Sequence, residues 1–270
     1  MARKRPQAPE LRPALVLCGA EERLHLVLAQ DGAVLAAQEL AVPGRAMRHT
    51  APALEGLLGC LGLAVQDLTG VAVVRGPGSF TGLRMTLALA LGLARAAALP
   101  LAGLDYLPLL AAGPAPLLAG TLAVLTHSRS GQVYMQPFAM PDAAPLAGPA
   151  PMSLERAAGA LAALPGPCHA LGSGLRANAD FLAAALPGLA LLDARFDQPL
   201  AHVLARAAAE AAFGPEPPAP LYLRASDAED NLAAIAAGRG LDPAAARRRL
   251  DAATSRLDAP ADCPPPLSSR

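Results

Sequence analysis

One segment of this 270-residue sequence combines glycine, hydroxyl and guanidinium groups in a pattern that could bind an anion. The segment is Arg75-Gly76-Pro77-Gly78-Ser79-Phe80-Thr81-Gly82-Leu83-Arg84. It lies between an apolar strand-like run and an apolar helix-like run, where free backbone N–H groups and a helix dipole favour negative charge. Its glycine spacing misses the dinucleotide fingerprint, and the Gly-Lys-Ser/Thr ending of a P-loop is absent. The same residues also suit a tight turn in which Ser79 or Thr81 caps the helix, so both interpretations stay open.

Patterns typical of metal sites and catalytic nucleophiles are absent from the sequence. His49 has Ala53 one helical turn later, whereas a metal site on a helix needs a second ligand on the same face. The other histidines show no ligand spacing, and the four cysteines include no Cys-x-x-Cys pair. Ser79 lacks the Gly-x-Ser-x-Gly surroundings of a nucleophile elbow. We therefore predict neither a catalytic residue nor a metal site on this chain.

Hydrophobic periodicity predicts the elements that position the glycine-rich segment. Three strands come first, and Asp31-Gly32 between the second and third is a hairpin signal. The predicted elements are strands 14–18, 24–29 and 33–40, helix 47–63, strand 71–74, helix 83–98, strand 101–104 and helix 106–112. This order predicts an α/β fold, a mixed sheet covered by helices, in the ribonuclease-H-like arrangement of the actin and sugar-kinase (ASKHA) architecture.

The order of elements begins again after a linker rich in proline and glycine at 114–120. Two strands, a helix capped by Ser153, a strand at 168–171 and two further helices suggest a second lobe like the first. The predicted organisation is a basic disordered arm (1–13), a first lobe (14–113), a second lobe (114–224) and a tail (225–270), helical and then Pro-rich.

Composition argues against two functional classes. The 22 basic and 22 acidic side chains balance. The chain therefore lacks the excess of Lys and Arg with which nucleic-acid-binding proteins bind the phosphate backbone. The longest uncharged stretch, 106–128, is interrupted by prolines and glycines and cannot form one continuous helix in lipid. With no clear signal peptide either, we expect a cytoplasmic protein that does not enter a membrane.

The string from Gly76 to Arg84, followed by an apolar helix, closely resembles the bacterial TsaB (YeaZ) family. Three further landmarks support the resemblance, which extends from about residue 14 to residue 224. They are Arg48-His49-Thr50, Arg129-Ser130-Gly131-Gln132-Val133-Tyr134 and Pro220-Leu221-Tyr222-Leu223-Arg224.

The resemblance implies a two-lobed, non-catalytic scaffold subunit in the synthesis of N6-threonylcarbamoyladenosine (t6A) in tRNA. It implies docking to a TsaD-type transferase, a TsaE-type ATPase as a further partner, ATP and metal only on the partner subunits, and indirect contact with tRNA. The family's contact surface lies on the first-lobe helices, which here predicts interface residues His49, Leu54, Leu57, Leu58, Leu61, Met85, Leu89 and Leu93. The alternative is that helix 83–98 is enclosed entirely by its own fold and contacts no partner. An apolar face that lacks its partner would also favour a homodimer.

Two departures from the family pattern bear on nucleotide binding. The stretch that aligns with the Asp of relatives is Cys18-Gly19-Ala20-Glu21, at the end of the first strand, and His127 replaces a second Asp. Phosphate-bound Mg²⁺ needs hard oxygen ligands, so nucleotide binding by this chain alone is not expected. The alternative function is a nucleotide-binding phosphotransferase or ATPase of the same superfold, favoured by the glycine-rich segment and by Gly172-Ser173-Gly174 in the second lobe. A glycoprotease-like metallopeptidase is disfavoured by the solitary His49.

Overall fold

The computed structural model describes residues 11–224 and 232–257. Two lobes form one compact unit that ends at Leu223, and a second unit begins at Arg224. Most of the predicted basic arm and the Pro-rich end of the tail lie outside the described residues.

The first sheet has five strands in the order β3-β2-β1-β4-β5. Its lobe contains β1 (Ala14–Cys18), β2 (Arg23–Gln30), β3 (Ala33–Ala41), α1 (Ala46–Gly59), β4 (Gly70–Gly76), α2 (Phe80–Ala97), β5 (Leu101–Asp105) and α3 (Tyr106–Ala112). β2 is antiparallel to β1 and β3, and β4 runs parallel to β1 and β5. Asp31 and Gly32 both have positive φ angles in the β2–β3 turn, as the hairpin signal predicted.

The second sheet repeats this arrangement in the order β11-β10-β6-β7-β8, and β9 also pairs with β7. Its elements are β6 (Gly120–Arg129), β7 (Gln132–Met140), β8 (Ala144–Pro145), β9 (Ala150–Ser153), α4 (Leu154–Ala162), β10 (Cys168–Leu171), α5 (Ser173–Ala177), α6 (Ala179–Ala185), β11 (Ala190–Leu191) and α7 (Ala201–Glu210). β6 and β7 are antiparallel, and β10 is parallel to both β6 and β11. The predicted pair of ribonuclease-H-like lobes is confirmed.

Alternating side chains of β1 face two different cores. Leu15 and Leu17 pack with α1 and α2 on the outer side of the first sheet. Val16 and Cys18 join an inner core that α3, α7 and the second sheet share. Helices α4, α5 and α6 cover the outer side of the second sheet. Helices α1 and α2 thus form an outer layer of this unit.

Two helix boundaries differ from the prediction for local reasons. α1 ends at Gly59 because Gly62 adopts φ +67° and the Leu63 N–H donates to the Leu58 carbonyl (3.0 Å), a glycine closing motif. α2 begins three residues early, at Phe80, because the Ser79 hydroxyl accepts the Gly82 N–H at 3.3 Å. Phe80, Thr81 and Gly82 therefore form the first helical turn instead of a loop.

Part of the second half of the chain packs on the first lobe. α7 lies against β2 and β3 and buries Val203 and Leu204 in the inner core. The chain then returns to the edge of the first sheet, where Gly214 and Leu101 exchange two backbone hydrogen bonds of 2.7 and 2.9 Å. The prediction followed chain order, whereas the inner face of the first sheet requires an apolar cover from elsewhere.

The second unit contains α8 (Leu232–Gly238) and α9 (Pro243–Leu257) in its described part. α9 covers the residues whose pattern predicted a helix, whereas α8 was not predicted separately. In the ranges 11–224 and 232–257, no helix combines the length and hydrophobicity needed to cross a bilayer.

Candidate functional site: a closed crevice and an exposed helical face

The two lobes meet at the carboxyl ends of β1 and β10. Ligands of open α/β sheets generally bind in a crevice outside the carboxyl ends of the strands. Here the Ser173 hydroxyl, at the start of α5, donates to the Glu21 carboxylate in the β1–β2 turn. Protein side chains therefore span the position where a ligand would be expected.

The glycine-rich segment packs backbone against backbone on the β1–β2 turn. The Ser79 N–H donates to the Ala20 carbonyl at 2.6 Å. A Cβ atom on Gly78 or Gly82 would lie less than 3.0 Å from the carbonyl oxygen of Ala20 or Gly19, respectively. The glycines thus permit close approach of two backbone segments, and the Ser79 N–H is used within the chain. Of the two interpretations that the sequence left open, the geometry supports the packed turn.

Glu21 is the centre of a hydrogen-bond network that joins the lobes. Its carboxylate accepts from the Ser173 hydroxyl, from the Tyr106 hydroxyl (3.0 Å) and from the Gln198 amide (3.3 Å). Gln198 also contacts His25 Nε2 through its amide oxygen at 3.3 Å. A continuous polar path therefore runs from β2 across the crevice to the start of α5.

A second carboxylate holds the second-lobe side of this network. Asp197 accepts the Gly172 N–H at 2.7 Å and the Arg176 Nε–H at 2.8 Å. Arg176 also donates to the Leu192 carbonyl. Both lobes thus contribute fixed polar groups, and the crevice is closed by specific bonds.

The crevice shifts the pKa of four groups, and each shift favours the neutral form of the group. Burial raises the pKa of Glu21, and the nearby Asp197 charge raises it further against the opposing effect of its hydrogen-bond donors. Burial also raises the pKa of the Cys18 thiol to about 12 and the pKa of the Tyr106 phenol well above its ordinary value. Burial lowers the pKa of His25, which favours the neutral imidazole. The surroundings therefore disfavour charge at each of these groups.

Glu21→Gln is expected to flatten the pH dependence of stability. Because the folded-state pKa of Glu21 is raised, its contribution to stability is complete below the unfolded pKa and is lost as pH rises through the folded pKa. The neutral glutamine does not titrate. As pH rises from about 5 to about 8, the free energy of unfolding of the variant should therefore increase relative to that of the parent. Urea denaturation of both proteins across this range measures the difference, and a constant difference would contradict the raised pKa. His25 and the other groups titrate in both proteins, so their contributions largely cancel.

Three leucines of α1 that were predicted to contact a partner face the first sheet instead. Leu54, Leu57 and Leu58 are 7%, 6% and 5% exposed and pack against the first sheet, so they cannot form a surface for another molecule. Leu61 lies beyond the helix and packs partly against the same core. Of the predicted residues on this helix, only His49 is exposed.

The outer side of α2 leaves apolar side chains within reach of solvent. Met85, Leu89 and Leu93 are half-buried, and each packs in part against the first-lobe core, as Leu61 does, while Arg84 and Arg95 are exposed. Met47, at the start of α1, is 77% exposed and was not among the predicted interface residues. We call the exposed and half-buried side chains of α1 and α2 the outer helical face.

An aromatic cluster fixes one end of this face. The Arg84 guanidinium lies 3.6 Å above the centre of the Phe80 ring, and Arg84 Nε donates to the Tyr222 hydroxyl at 3.1 Å. The Phe80 and Tyr222 ring centres are 5.2 Å apart. The Leu221 N–H donates to the Arg75 carbonyl at 2.8 Å, so residues 220–222 are tied to the glycine-rich segment. Two sequence landmarks that are far apart in the chain are therefore neighbours in the fold.

Among residues 11–224 and 232–257, no three His, Cys, Asp or Glu side chains form a cluster that could hold a metal ion.

Comparisons with known proteins agree with this architecture. The family model described as "TsaD: tRNA N6-adenosine threonylcarbamoyltransferase" matches residues 42–184, which is more than half of the chain. The Escherichia coli (strain K12) tRNA threonylcarbamoyladenosine biosynthesis protein TsaB is 36% identical over 83 residues, covering 31% of this chain and 36% of that protein. The chain belongs to the TsaB (YeaZ) family. The aligned segment spans only about a third of the length of E. coli TsaB.

Two solved structures from Pseudomonas aeruginosa share the TsaB-family fold. One is YeaZ, and the other is a protein with similarity to peptidase YeaZ. Both match with a TM-score of 0.65 at 24% identity, covering 78% and 79% of this chain, respectively, and 100% of their own chains. At this level of identity the likeness concerns the fold.

The crevice of this TsaB-family member contains a carboxylate that the family pattern did not predict. The sequence lacks the usual Asp after the first strand, and Cys18 is buried in the inner core. Glu21, however, places a carboxylate in the same crevice, where it bonds to the second lobe. The backbone N–H of His127, which replaces the second Asp, donates to the Ser173 hydroxyl at 2.9 Å. This TsaB-family member therefore uses its crevice carboxylate to hold the lobes together.

Proposed function

We propose that this chain is a non-catalytic subunit of the t6A synthesis machinery, which binds and activates a TsaD-type transferase through the outer helical face. The observation that carries the proposal is α2, which contributes Leu83 and Ala90 to buried cores yet leaves Met85, Leu89 and Leu93 half-exposed. A helix with apolar side chains on more than one side is typical of a second contact surface. Membership of the TsaB family supports a TsaD-type transferase as the partner.

Glycines on the outer helical face support close packing by a partner. A Cβ atom at Gly56 or Gly92 would meet nothing within 4 Å, so the chain's own fold does not require glycine there. Glycine costs about 1 kcal/mol relative to alanine in a helix interior. A partner helix that approaches these backbones closely would account for that cost.

Chemistry in this proposal takes place on the partner subunits. Threonylcarbamoyl-adenylate is the donor, a TsaE-type ATPase is the further partner, and ATP and metal bind to those chains. The balanced charge of this chain fits indirect contact with tRNA. The assembly would work in the cytoplasm.

The purified chain alone is expected not to hydrolyse ATP above a buffer control. The Ser79 N–H is bonded to Ala20, and Glu21 bridges the crevice to Ser173, so neither group is set up to receive phosphates. A phosphate-release assay measures this, with Ser79→Ala as the paired variant. ATP hydrolysis that Ser79→Ala abolishes would favour the phosphotransferase alternative.

Co-expression with the TsaD homologue of the same organism tests the proposed assembly. Size-exclusion chromatography with light scattering should show one species with the mass of a heterodimer. Separate elution of the two proteins at every concentration would contradict the proposal. A homodimer of this chain in isolation would appear in the same measurement.

A further inference from the structure

The β1–β2 turn, residues 19–22, contacts both the first turn of α2 and the second lobe. Its backbone lies against the glycine-rich segment, where the Ala20 carbonyl accepts the Ser79 N–H at 2.6 Å. The next residue, Glu21, crosses the crevice and accepts the hydroxyl of Ser173 at the start of α5. Two consecutive residues therefore join the start of α2 to the opposite wall of the crevice.

The contact between this turn and α2 leaves no space for independent movement. A Cβ atom on Gly19 would lie 2.8 Å from the Thr86 methyl carbon, and one on Gly82 would lie less than 3.0 Å from the Gly19 carbonyl oxygen. Thr86 is fully buried, and its hydroxyl donates to the Gly82 carbonyl at 3.1 Å. Closely packed interiors transmit strain, because they contain few voids into which atoms can move. A displacement of the turn therefore requires a displacement of the first turn of α2.

The second lobe holds the turn through the Ser173 hydroxyl. This hydroxyl donates to Glu21 and accepts the His127 N–H at 2.9 Å, so it links the end of β6 to the β1–β2 turn. The adjacent Gly172 N–H donates to Asp197 at 2.7 Å. These bonds need both walls of the crevice in their closed positions. The position of the turn, and with it the start of α2, therefore depends on the closed crevice.

We propose that Glu21 and Ser173 are positioning residues for α2, so that closure of the crevice and docking of a partner on the outer helical face favour each other. The inference rests on the proposed function for the identity of the docked partner. Coupling between two sites is reciprocal. A bond that stabilises the position of α2 needed for docking strengthens docking, and docking in turn stabilises that bond. Neither Glu21 nor Ser173 has to touch the partner.

Ser173→Ala should weaken the complex with the TsaD homologue from the far side of the crevice. We expect the Kd to rise at least about fivefold, the lower end of typical couplings between sites. Glu21→Ala removes the other partner of the same bond and should raise the Kd by a similar factor. Because both variants break one link, the double variant should bind about as weakly as either single variant. Titration calorimetry with the folded full-length proteins measures all four values.

Ser153→Ala is the matched control in the second lobe. Its hydroxyl is also at the start of a helix, where it accepts the Arg156 N–H at 3.3 Å. Loss of this cap should lower stability without changing the Kd. An effect on the Kd equal to that of Ser173→Ala would assign the loss of affinity to general destabilisation and would overturn the coupling.

Hydrogen exchange of the unsubstituted chain measures the reciprocal effect without any variant. The amides of His127 and Gly172 donate inside the closed crevice, so their exchange reports its opening. Docking of the TsaD homologue should slow both at least about fivefold, the factor expected for the Kd. Unchanged exchange, together with an unchanged Kd in Ser173→Ala and Glu21→Ala, would overturn the coupling and leave the assembly in place. Absence of any complex with the parent chain would overturn the proposed function and this inference with it.

Discussion

Gly82→Ala is expected to lower the free energy of unfolding by about 3 kcal/mol or more, the upper end of the effects of overpacking. Its new Cβ would lie less than 3.0 Å from the Gly19 carbonyl oxygen. The backbone fixes the position of a Cβ atom and the carbonyl is itself part of the backbone, so neither group can rotate away. The contact joins the first turn of α2 to the β1–β2 turn. Urea denaturation followed by circular dichroism measures the loss.

Gly92→Ala is the matched control on the same helix and should have the opposite sign. A Cβ at Gly92 meets nothing within 4 Å, so alanine should raise the free energy of unfolding by about 0.5–1 kcal/mol through helix propensity. The same alanine should weaken the complex with the transferase if a partner helix packs there. Equal effects of the two substitutions on unfolding would contradict the close backbone packing assigned to the glycine-rich segment.

Leu89→Glu is expected to abolish the complex with the TsaD homologue while leaving the chain folded. Leu89 is half-buried, so a glutamate there can reach solvent in the isolated protein. In the complex the same carboxylate would be desolvated, at a cost of several kcal/mol. The Kd should therefore rise at least about 100-fold, measured by titration calorimetry.

Two comparison variants make the loss of binding interpretable. Leu146→Glu changes a 48% exposed leucine of the second lobe and should leave both folding and binding unchanged. Leu57→Glu would place a charge in the core of the first lobe, where the residue is 6% exposed, and should unfold it. A Leu89→Glu protein that binds normally would exclude this side of α2 from the interface.

Element order was predictable because each signal is local. The strands Ala14–Cys18 and Cys168–Leu171 and the Asp31-Gly32 turn follow from short apolar runs and turn chemistry. The end of α1 was missed because Gly62 closes the helix through a backbone motif that hydrophobic spacing does not encode. The position of α7 was missed because packing between lobes does not follow chain order.

The candidate site was only partly predictable because burial is decided by distant residues. Leu57 and Leu89 both fit an apolar helical stripe, but the sheet covers only the first fully. Glu21 looks like a residue of a surface turn in sequence, and its partner Ser173 lies 152 residues away.

Reconstituted threonylcarbamoyl transfer tests the central claim most directly. The TsaD homologue, the donor adenylate and tRNA are combined with this chain, with Leu89→Glu, or with neither, and incorporation into tRNA is followed. The account predicts transfer with the parent chain, background transfer with Leu89→Glu or without the chain, and none when the chain replaces the transferase. Full transfer without the chain, or equal transfer with Leu89→Glu, would contradict a subunit that activates its partner through the outer helical face.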